Sequence, residues 1–203
     1  MRTIQITIEG TTPLLMNKFK DAATQALKRG SSNAVRARQN LEPRDAAETK
    51  LYQDENGTIH IPGPNLFRAF IDAGTFIKIG KGKMTTQKTS LVPAGMAIIE
   101  LACPLSRPDG AALTWEVDER SVVNPATGGR MMAYRPRFER WQLSLTVEFD
   151  PEMFNEQLVR ELVDHAGKRI GLGDFRPSRK GPFGKFVVTR WQADDLKKEK
   201  NVT

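Results

Sequence analysis

The chain has 203 residues with 31 Lys or Arg against 24 Asp or Glu, and its formal net charge of +7 favours a polyanionic partner. A mean hydropathy of -0.46, and no apolar run near the roughly 18 residues of a membrane span, predict a cytoplasmic protein that has no membrane segment. One cysteine and two histidines leave no internal disulfide and few ligands or bases, so we expect no metal, no cofactor and no catalytic residue.

The first part of the chain is predicted to contain a strand, two helices and a hairpin. Residues 3–9 alternate isoleucine with polar side chains, which is the pattern of a half-buried strand. Helical spacing predicts an amphipathic helix over 17–30, followed by a basic loop over 31–40 and a short helix over 43–50. The Asn-Gly turn inside 51–61 predicts a β-hairpin, because this dipeptide supplies the backbone angles of a tight turn.

The middle of the chain begins with its strongest helix signal. Residues 61–74 read IPGPNLFRAFIDAG, in which Pro64 is preset for a first helical turn and apolar residues follow at helical spacing. A basic loop over 78–88 leads into an apolar stretch over 91–103, and 114–123 reads as a strand region.

The last part of the chain alternates basic segments with predicted elements. The basic and aromatic segment 130–141 leads into the clearest strand, 142–149, whose apolar and polar residues alternate strictly. Asp150-Pro151 is predicted to cap a helix that extends to residue 165. A loop rich in glycine and arginine over 171–184 and a strand over 185–191 complete the order.

This order is β-α-β-β-α-β with elaborations, which predicts an α+β fold of the ferredoxin-like or RRM-like type. In such a fold an antiparallel sheet carries its helices on one face, and the other face is free to meet a ligand or a partner. We expect residues 1–203 to form a single domain with insertions at about 17–57, 78–90 and 104–140.

Four basic segments favour a polyanion-binding track over coincidence. In 61–70, a glycine-containing turn before a helix N-terminus offers free N–H donors to a phosphate, although the same turn also suits a tight strand-to-helix connection. In 171–184, glycines allow close approach while arginines supply charge and Phe175 or Phe183 supply stacking surface; the alternative is a solvated loop. This loop lacks the Walker pattern, so triphosphate hydrolysis has little support.

The other two basic segments are more ambiguous. In 129–141, basic residues alternate with Tyr134, Phe138 and Trp141 in the manner of a single-strand platform, yet each ring also suits a core position. The lysines of 78–88 suit an exposed loop.

Three motifs occur in an order that resembles a known family: the Thr-Pro-Leu turn at 12–15, the I-P-G-x-x-L-x-x-A helix start at 61–69 and the glycine-rich loop at 171–184. They resemble the RAMP (repeat-associated mysterious protein) superfamily of CRISPR-associated proteins, and within it the backbone subunits that coat guide RNA. The resemblance implies a modified RNA-recognition fold, single-stranded guide RNA as ligand, and a β-hairpin thumb within 104–140. It also implies a head-to-tail homo-oligomer on RNA, with other effector subunits as partners.

Basic segments and resemblance together define the predicted nucleic-acid-binding residues. The resemblance places the first four near the RNA backbone, and the set is Pro62, Gly63, Asn65, Arg68, Lys81, Lys83, Arg130, Arg135, Arg137, Gly173, Arg176, Arg179 and Lys180.

Catalysis is the main alternative, because some RAMP relatives cleave RNA with a histidine or an aspartate. His60 lies in a predicted strand and His165 on an apolar helix stripe, so both are predicted to be structural, as is Cys103. Asp21 and Asp174 have no partner identifiable from the sequence. A non-catalytic RNA-binding subunit is therefore favoured, with a RAMP-like endoribonuclease or a phage or mobile-element nucleic-acid-binding or host-interaction protein as alternatives.

Overall fold

A computed structural model describes residues 1–18, 41–123 and 128–193. Most of the helix predicted over 17–30, including Asp21, and the loop predicted over 31–40 lie outside the described residues.

Eleven strands and four α-helices are named here in chain order within the described residues. The strands are β1 (Arg2–Gly10), β2 (Leu14–Leu15), β3 (His60–Pro62), β4 (Lys78–Ile79), β5 (Gly82–Lys83), β6 (Met96–Ile98), β7 (Ala102–Pro104), β8 (Glu116–Val123), β9 (Arg130–Phe138), β10 (Gln142–Phe149) and β11 (Phe186–Ala193). The helices are α1 (Pro43–Glu48), α2 (Gly63–Ala73), α3 (Val92–Gly95) and α4 (Glu156–His165). Short non-α turns cover Gly74–Phe76, Ala166–Ile170 and Pro177–Arg179.

The main sheet has the strand order β11-β1-β10-β6, and every neighbouring pair is antiparallel. Strands β1 and β6 consequently run parallel on either side of β10, and α2 lies between them in the chain. Strands β10 and β11 flank β1 in the same way, with α4 between them in the chain. These two interleaved split β-α-β units confirm the predicted ferredoxin-like α+β topology.

Alternation along the central strands creates the core. Ile4, Ile6 and Ile8 of β1 are buried and lie opposite buried apolar residues of β10. Buried side chains of α2 and α4, such as Phe70 and Leu162, belong to the same hydrophobic cluster. Because successive strand residues point to opposite faces, the helices cover the face that these isoleucines occupy.

The opposite face of the main sheet is polar. Its central positions include Gln5 and Thr7 of β1, Ser144 of β10 and Arg190 of β11, and the hydroxyls of Thr7 and Ser144 are hydrogen-bonded at 2.9 Å. None of the outward positions in the described strands is aromatic. An RRM sheet presents aromatic rings on which bases stack, whereas the described part of this face presents none.

The edge of β10 that faces away from β1 pairs with the short strand β6 and, beyond it, with side-chain and backbone groups of the segment that follows β6. Strand β6 has three residues, and beyond it the Thr146 N–H donates to the Glu100 carboxylate at 2.7 Å, replacing a ladder bond. The Ile99 N–H donates to the Thr146 carbonyl at 3.0 Å. Further along, Ser106 and Gln142 exchange backbone bonds of 2.8 and 2.9 Å.

A smaller sheet has the order β2-β9-β8, and its strands β8 and β9 lie in the segment predicted for the thumb. Strands β8 and β9 form its hairpin, β2 pairs with the end of β9, and α1 packs against both long strands.

The predicted start of the last helix is wrong. Helix α4 begins at Glu156, not directly after Asp150-Pro151, and its N-cap is Asn155, whose side chain accepts a bond from the Leu158 N–H at 2.8 Å. Asp150 instead caps a turn of its own, accepting from the Glu152 N–H at 2.9 Å.

Candidate nucleic-acid interface

A cleft of about 260 Å³ lies between α2 and the segment 171–184, which we call the glycine loop. Asn65 and Arg68 of α2 line one wall, and Gly173 and Arg176 of the glycine loop line another. Asn17 and Tyr52, which the sequence analysis did not select, complete it with neighbouring residues. Two of the three motifs that carried the family resemblance thus meet at one site.

The start of α2 is fixed by close backbone packing. The Gly63 N–H donates to the Leu101 carbonyl at 2.9 Å, and a Cβ on Gly63 would lie 2.0 Å from the Glu100 carbonyl oxygen. Pro62 is half-buried and pairs with Ala102 across β3 and β7. Gly63 is buried, so its lack of a side chain is explained by this strand-to-helix packing.

The glycine loop is held against the chain around β2. The Asp174 N–H donates to the Leu15 carbonyl and the Gly184 N–H to the Pro13 carbonyl, both at 2.8 Å. Gly173 has a φ of +73°, and a Cβ there would lie 2.3 Å from the Leu15 carbonyl oxygen. Only glycine fits this position, since a side chain would meet both an unfavourable φ and backbone. The Thr-Pro-Leu motif therefore serves as the seat of the glycine loop.

Asp174 ties this loop to the β8–β9 hairpin. Its carboxylate forms an ion pair with Arg135 of β9, accepts from the Asn17 amide at 3.1 Å and accepts from the Phe175 N–H at 2.9 Å. The Arg135 side chain is 12 % exposed, so its charge is largely committed to Asp174. Asp174 thus has partners that the sequence did not reveal, and the role of Arg135 that the structure shows is to connect the hairpin to the glycine loop.

Two guanidinium groups, those of Arg68 and Arg176, line the cleft, and Arg179 lies near Arg176. Burial, followed by the neighbouring charge of Arg179, lowers the pKa of Arg176; Asp72 and Asp174 act against this shift, and Arg68 acts with it. The Arg176 Nη1 donates to the Gly173 carbonyl at 2.9 Å, and no carboxylate of the described residues lies within salt-bridge distance of Arg176 or Arg179. Arg68 pairs with Asp72 at 3.0 Å but its side chain is 69 % exposed, so this pair is weak. The mouth therefore carries excess positive charge.

The hairpin also contacts the loop through Arg120, another residue that the sequence analysis did not select. Its guanidinium carbon lies 4.7 Å from the Phe183 ring centre and 5.8 Å from that of Phe175, while its Nε donates to the buried Asp118 at 2.9 Å. Residues 116, 118 and 120 share one face of β8 by alternation. The spacing of these charged residues in a predicted strand was the sequence signal that could have identified Arg120.

The remaining predicted cations lie outside the cleft. Arg137 is paired with Glu116 at 2.9 Å and Glu139 at 3.3 Å. Arg130 is exposed where β9 begins, with a 3.5 Å contact to the Ser121 hydroxyl. Lys81 and Lys83 are exposed on the β4–β5 hairpin, past the C-terminal end of α2. Lys180 is exposed beside Arg179 with a φ of +62°.

The aromatic residues divide clearly by burial. Phe138 and Trp141 are fully buried, and Tyr134 is half-buried. In the glycine loop Phe183 is 8 % exposed whereas Phe175 is 37 % exposed. Of the aromatics that the basic segments suggested for stacking, Phe175 therefore offers the most open ring.

His60, His165 and Cys103 are not among the residues that line the cleft. No cluster of three His, Cys, Asp or Glu that suits a metal ion occurs there. The His60 ring lies 6.2 Å from that of Tyr52, and the His165 ring 5.9 Å from that of Phe76. Burial raises the pKa of Cys103 to about 12. None of the described helices combines the length and apolar character needed to cross a bilayer.

Comparison with known proteins shows the fold alone. No protein-family model and no curated protein matches the chain. A chain of the cryo-EM structure of the Type III-B Cmr-beta bound to cognate target RNA is similar, with a TM-score of 0.52 and 10% identity over 95% of this chain. This chain spans 60% of the length of that chain. At such identity the likeness is one of architecture, and it agrees with the α+β topology described above.

Proposed function

We propose that the chain is a non-catalytic, single-stranded RNA-binding subunit of the RAMP superfamily that coats guide RNA as a repeated backbone in a CRISPR-type ribonucleoprotein effector. The observation that carries this proposal is the cleft between α2 and the glycine loop, which Arg68 and Arg176 line. With Arg179, whose charge acts on Arg176, these three cations outnumber the two carboxylates that act on the same group, Asp72 and Asp174.

The charge at this mouth suits a chain of phosphates. Guanidinium groups bind phosphate through paired N–H donors, and Arg176 is held in place by its bond to the Gly173 carbonyl. Contacts of this kind position a nucleic acid without reading its sequence, as a subunit that coats many guides requires.

The structural likeness supports RNA over other polyanions. The similar chain comes from a Type III-B Cmr-beta bound to cognate target RNA, and this chain has the topology expected of a RAMP protein. We extend the proposal to the partners on the same ground: further copies arranged head to tail along the RNA, and other effector subunits.

The surroundings of the acidic and imidazole groups support a non-catalytic role. The Asp174 carboxylate is engaged by Arg135, the Asn17 amide and the Phe175 N–H, so its oxygens are occupied in holding the glycine loop. His60 Nδ1 lies 3.3 Å from the Thr58 carbonyl, and His165 packs beside Phe76.

Fluorescence anisotropy with labelled single-stranded RNA, single-stranded DNA and duplex DNA over a range of salt concentrations tests the proposal. We expect RNA to bind most tightly. Since each phosphate neutralised on a single strand contributes about 0.7 to the salt slope, three arginines predict a slope near or beyond about -2. No binding to RNA at low salt would overturn the proposal.

Coating is tested separately by light scattering of complexes with RNAs of increasing length. A backbone subunit should bind in numbers that grow with RNA length. A constant single copy per RNA would contradict the assembly and leave RNA binding in place.

A further inference from the structure

We propose that Phe175 is a base-stacking residue, so that the ligand of the cleft is a strand whose nucleobases are unpaired and accessible. This inference rests on the proposed nucleic-acid-binding function and adds the base to the phosphate as a recognised group.

The backbone of Phe175 is unusual. Its φ is +47°, and Lys180 in the same loop is the other non-glycine residue with a positive φ within the described residues. A bulky side chain in this region is strained and persists only where the surroundings impose it. The Asp174 carboxylate receives the Phe175 N–H at 2.9 Å, and the Phe183 N–H donates to the Phe175 carbonyl at 3.3 Å.

In this conformation the Phe175 side chain stays partly exposed. Phe183 already anchors the loop, because it is 8 % exposed and its ring centre lies 4.7 Å from the Arg120 guanidinium. Phe175 lies farther from Arg120, at 5.8 Å, and keeps 37 % of its surface exposed. The Phe175 ring also packs against Phe183, with ring centres 6.1 Å apart, so loop packing accounts for part of this ring and leaves its exposed part open to a ligand.

The neighbours of Phe175 supply the second half of a single-strand site. Arg176 follows it directly, and Arg68 and Arg179 lie close enough to Arg176 to affect its pKa. An aromatic ring beside phosphate-binding cations is the pairing that single-stranded nucleic acids require, since every base has a face to stack. In a duplex those faces are already covered.

The polar sheet face strengthens the assignment. Outward positions of the described strands carry no aromatic side chain, so the surface that an RRM uses for stacking is not equipped for it here. Phe175 instead presents a partly exposed ring from the glycine loop, between the cleft-lining residues Asp174 and Arg176.

The experiment compares two ligands of equal length and charge: a single-stranded RNA and an abasic oligonucleotide with the same number of phosphates. For Phe175→Ala we expect RNA affinity to fall about five- to one-hundredfold, and abasic affinity to change by less than about twofold. Phe76→Leu is the matched control, because Phe76 is a 44 % exposed phenylalanine outside the cleft, and both affinities should stay at the wild-type values.

A second variant keeps the test independent of folding. Phe175→Trp preserves a stacking ring, so it should retain RNA affinity, and its added tryptophan fluorescence should be quenched by RNA and not by the abasic strand. Thermal melting of each variant checks that the fold is intact.

The outcomes separate the two proposals. If wild-type protein binds neither ligand, the proposed function fails and the stacking role with it. If wild-type protein binds RNA but Phe175→Ala weakens both ligands equally or neither, or the Phe175→Trp signal does not respond to RNA, stacking is overturned and RNA binding stands.

Discussion

Replacing Asp174 with asparagine should weaken both the fold and RNA binding, although it makes the chain more positive. The substitution keeps the size of the side chain and an oxygen that can accept the Phe175 N–H. It removes the charge that balances Arg135, whose side chain is 12 % exposed. The change therefore leaves a mostly buried guanidinium without its carboxylate.

The magnitude follows from the burial of the pair. Breaking a fully buried pair costs about 3–5 kcal/mol, and an exposed pair contributes about 0–1 kcal/mol. With side chains 12 % and 28 % exposed, this pair lies between the two cases, and we expect a loss of about 2 kcal/mol in the free energy of unfolding. For a domain of this size the corresponding drop in Tm is about 4–8 °C.

Urea denaturation measures the stability change, and anisotropy with single-stranded RNA measures the binding change. Long-range electrostatics alone predicts tighter binding by Asp174→Asn. Loss of the tie between loop and hairpin predicts weaker binding, because the loop that carries Arg176 is then less firmly held. Combining it with Arg135→Met, which removes the stranded charge, should cost less than the sum of the two single changes. A variant that is as stable as the wild type, or binds RNA more tightly, would refute the assignment of Asp174 as the tie.

Three further predictions concern charge, backbone and burial. Arg176→Ala with Arg179→Ala should weaken RNA binding for all sequences and reduce the salt slope by about 1.4, whereas an unchanged slope would remove the loop from the interface. Gly173→Ala should lower the free energy of unfolding by at least about 2 kcal/mol in chemical denaturation, because its Cβ meets the β2 backbone. Gly57→Ala, also at positive φ but with nothing within 4 Å, should lower it by about 1 kcal/mol. Equal losses would contradict the packing argument. Burial raises the pKa of Cys103 to about 12, so this thiol should react with Ellman's reagent only in denaturant. The fold should also lose stability as pH rises above 9.0, the ordinary pKa of a cysteine, since only the unfolded thiol then ionises. Rapid labelling of the native protein would show the site to be accessible.

A charge-matched control accompanies the arginine pair. Arg160→Ala with Arg190→Ala also removes two positive charges, one from α4 and one from the polar sheet face, and neither residue lines the cleft. RNA affinity should fall less in this variant than in the loop variant. Equal loss in both would mean that net charge, not the cleft, determines binding.

The main sheet was predictable because its signals are local. Strict alternation in 3–9 and 142–149 identifies β1 and β10, and Pro64 marks the start of α2. The start of α4 was missed because Asp150-Pro151 and Asn155 are both cap signals, and the choice between them depends on how the turn after β10 packs.

The state of each cation was not predictable, since it depends on residues distant in the chain. Arg135 and Arg176 both read as free charges in basic segments, yet the fold brings Arg135 to Asp174, 39 residues away, and leaves Arg176 without such a partner. Gly63 similarly read as part of a phosphate-binding turn, and only the position of Glu100 shows why glycine is needed there. Whether these cations contact RNA remains a prediction.

The closed outer edge of β10 bears on how copies of the chain can associate. The Glu100 carboxylate occupies the Thr146 N–H, and Ser106 occupies the backbone groups of Gln142, so a strand from a neighbouring copy finds no continuous row of free donors and acceptors along β10. Short edge strands and covered edges of this kind discourage sheet-to-sheet joining. If the chain forms a filament on RNA, we expect its copies to meet at this edge through side chains, which leaves each subunit able to dissociate without unravelling a shared sheet.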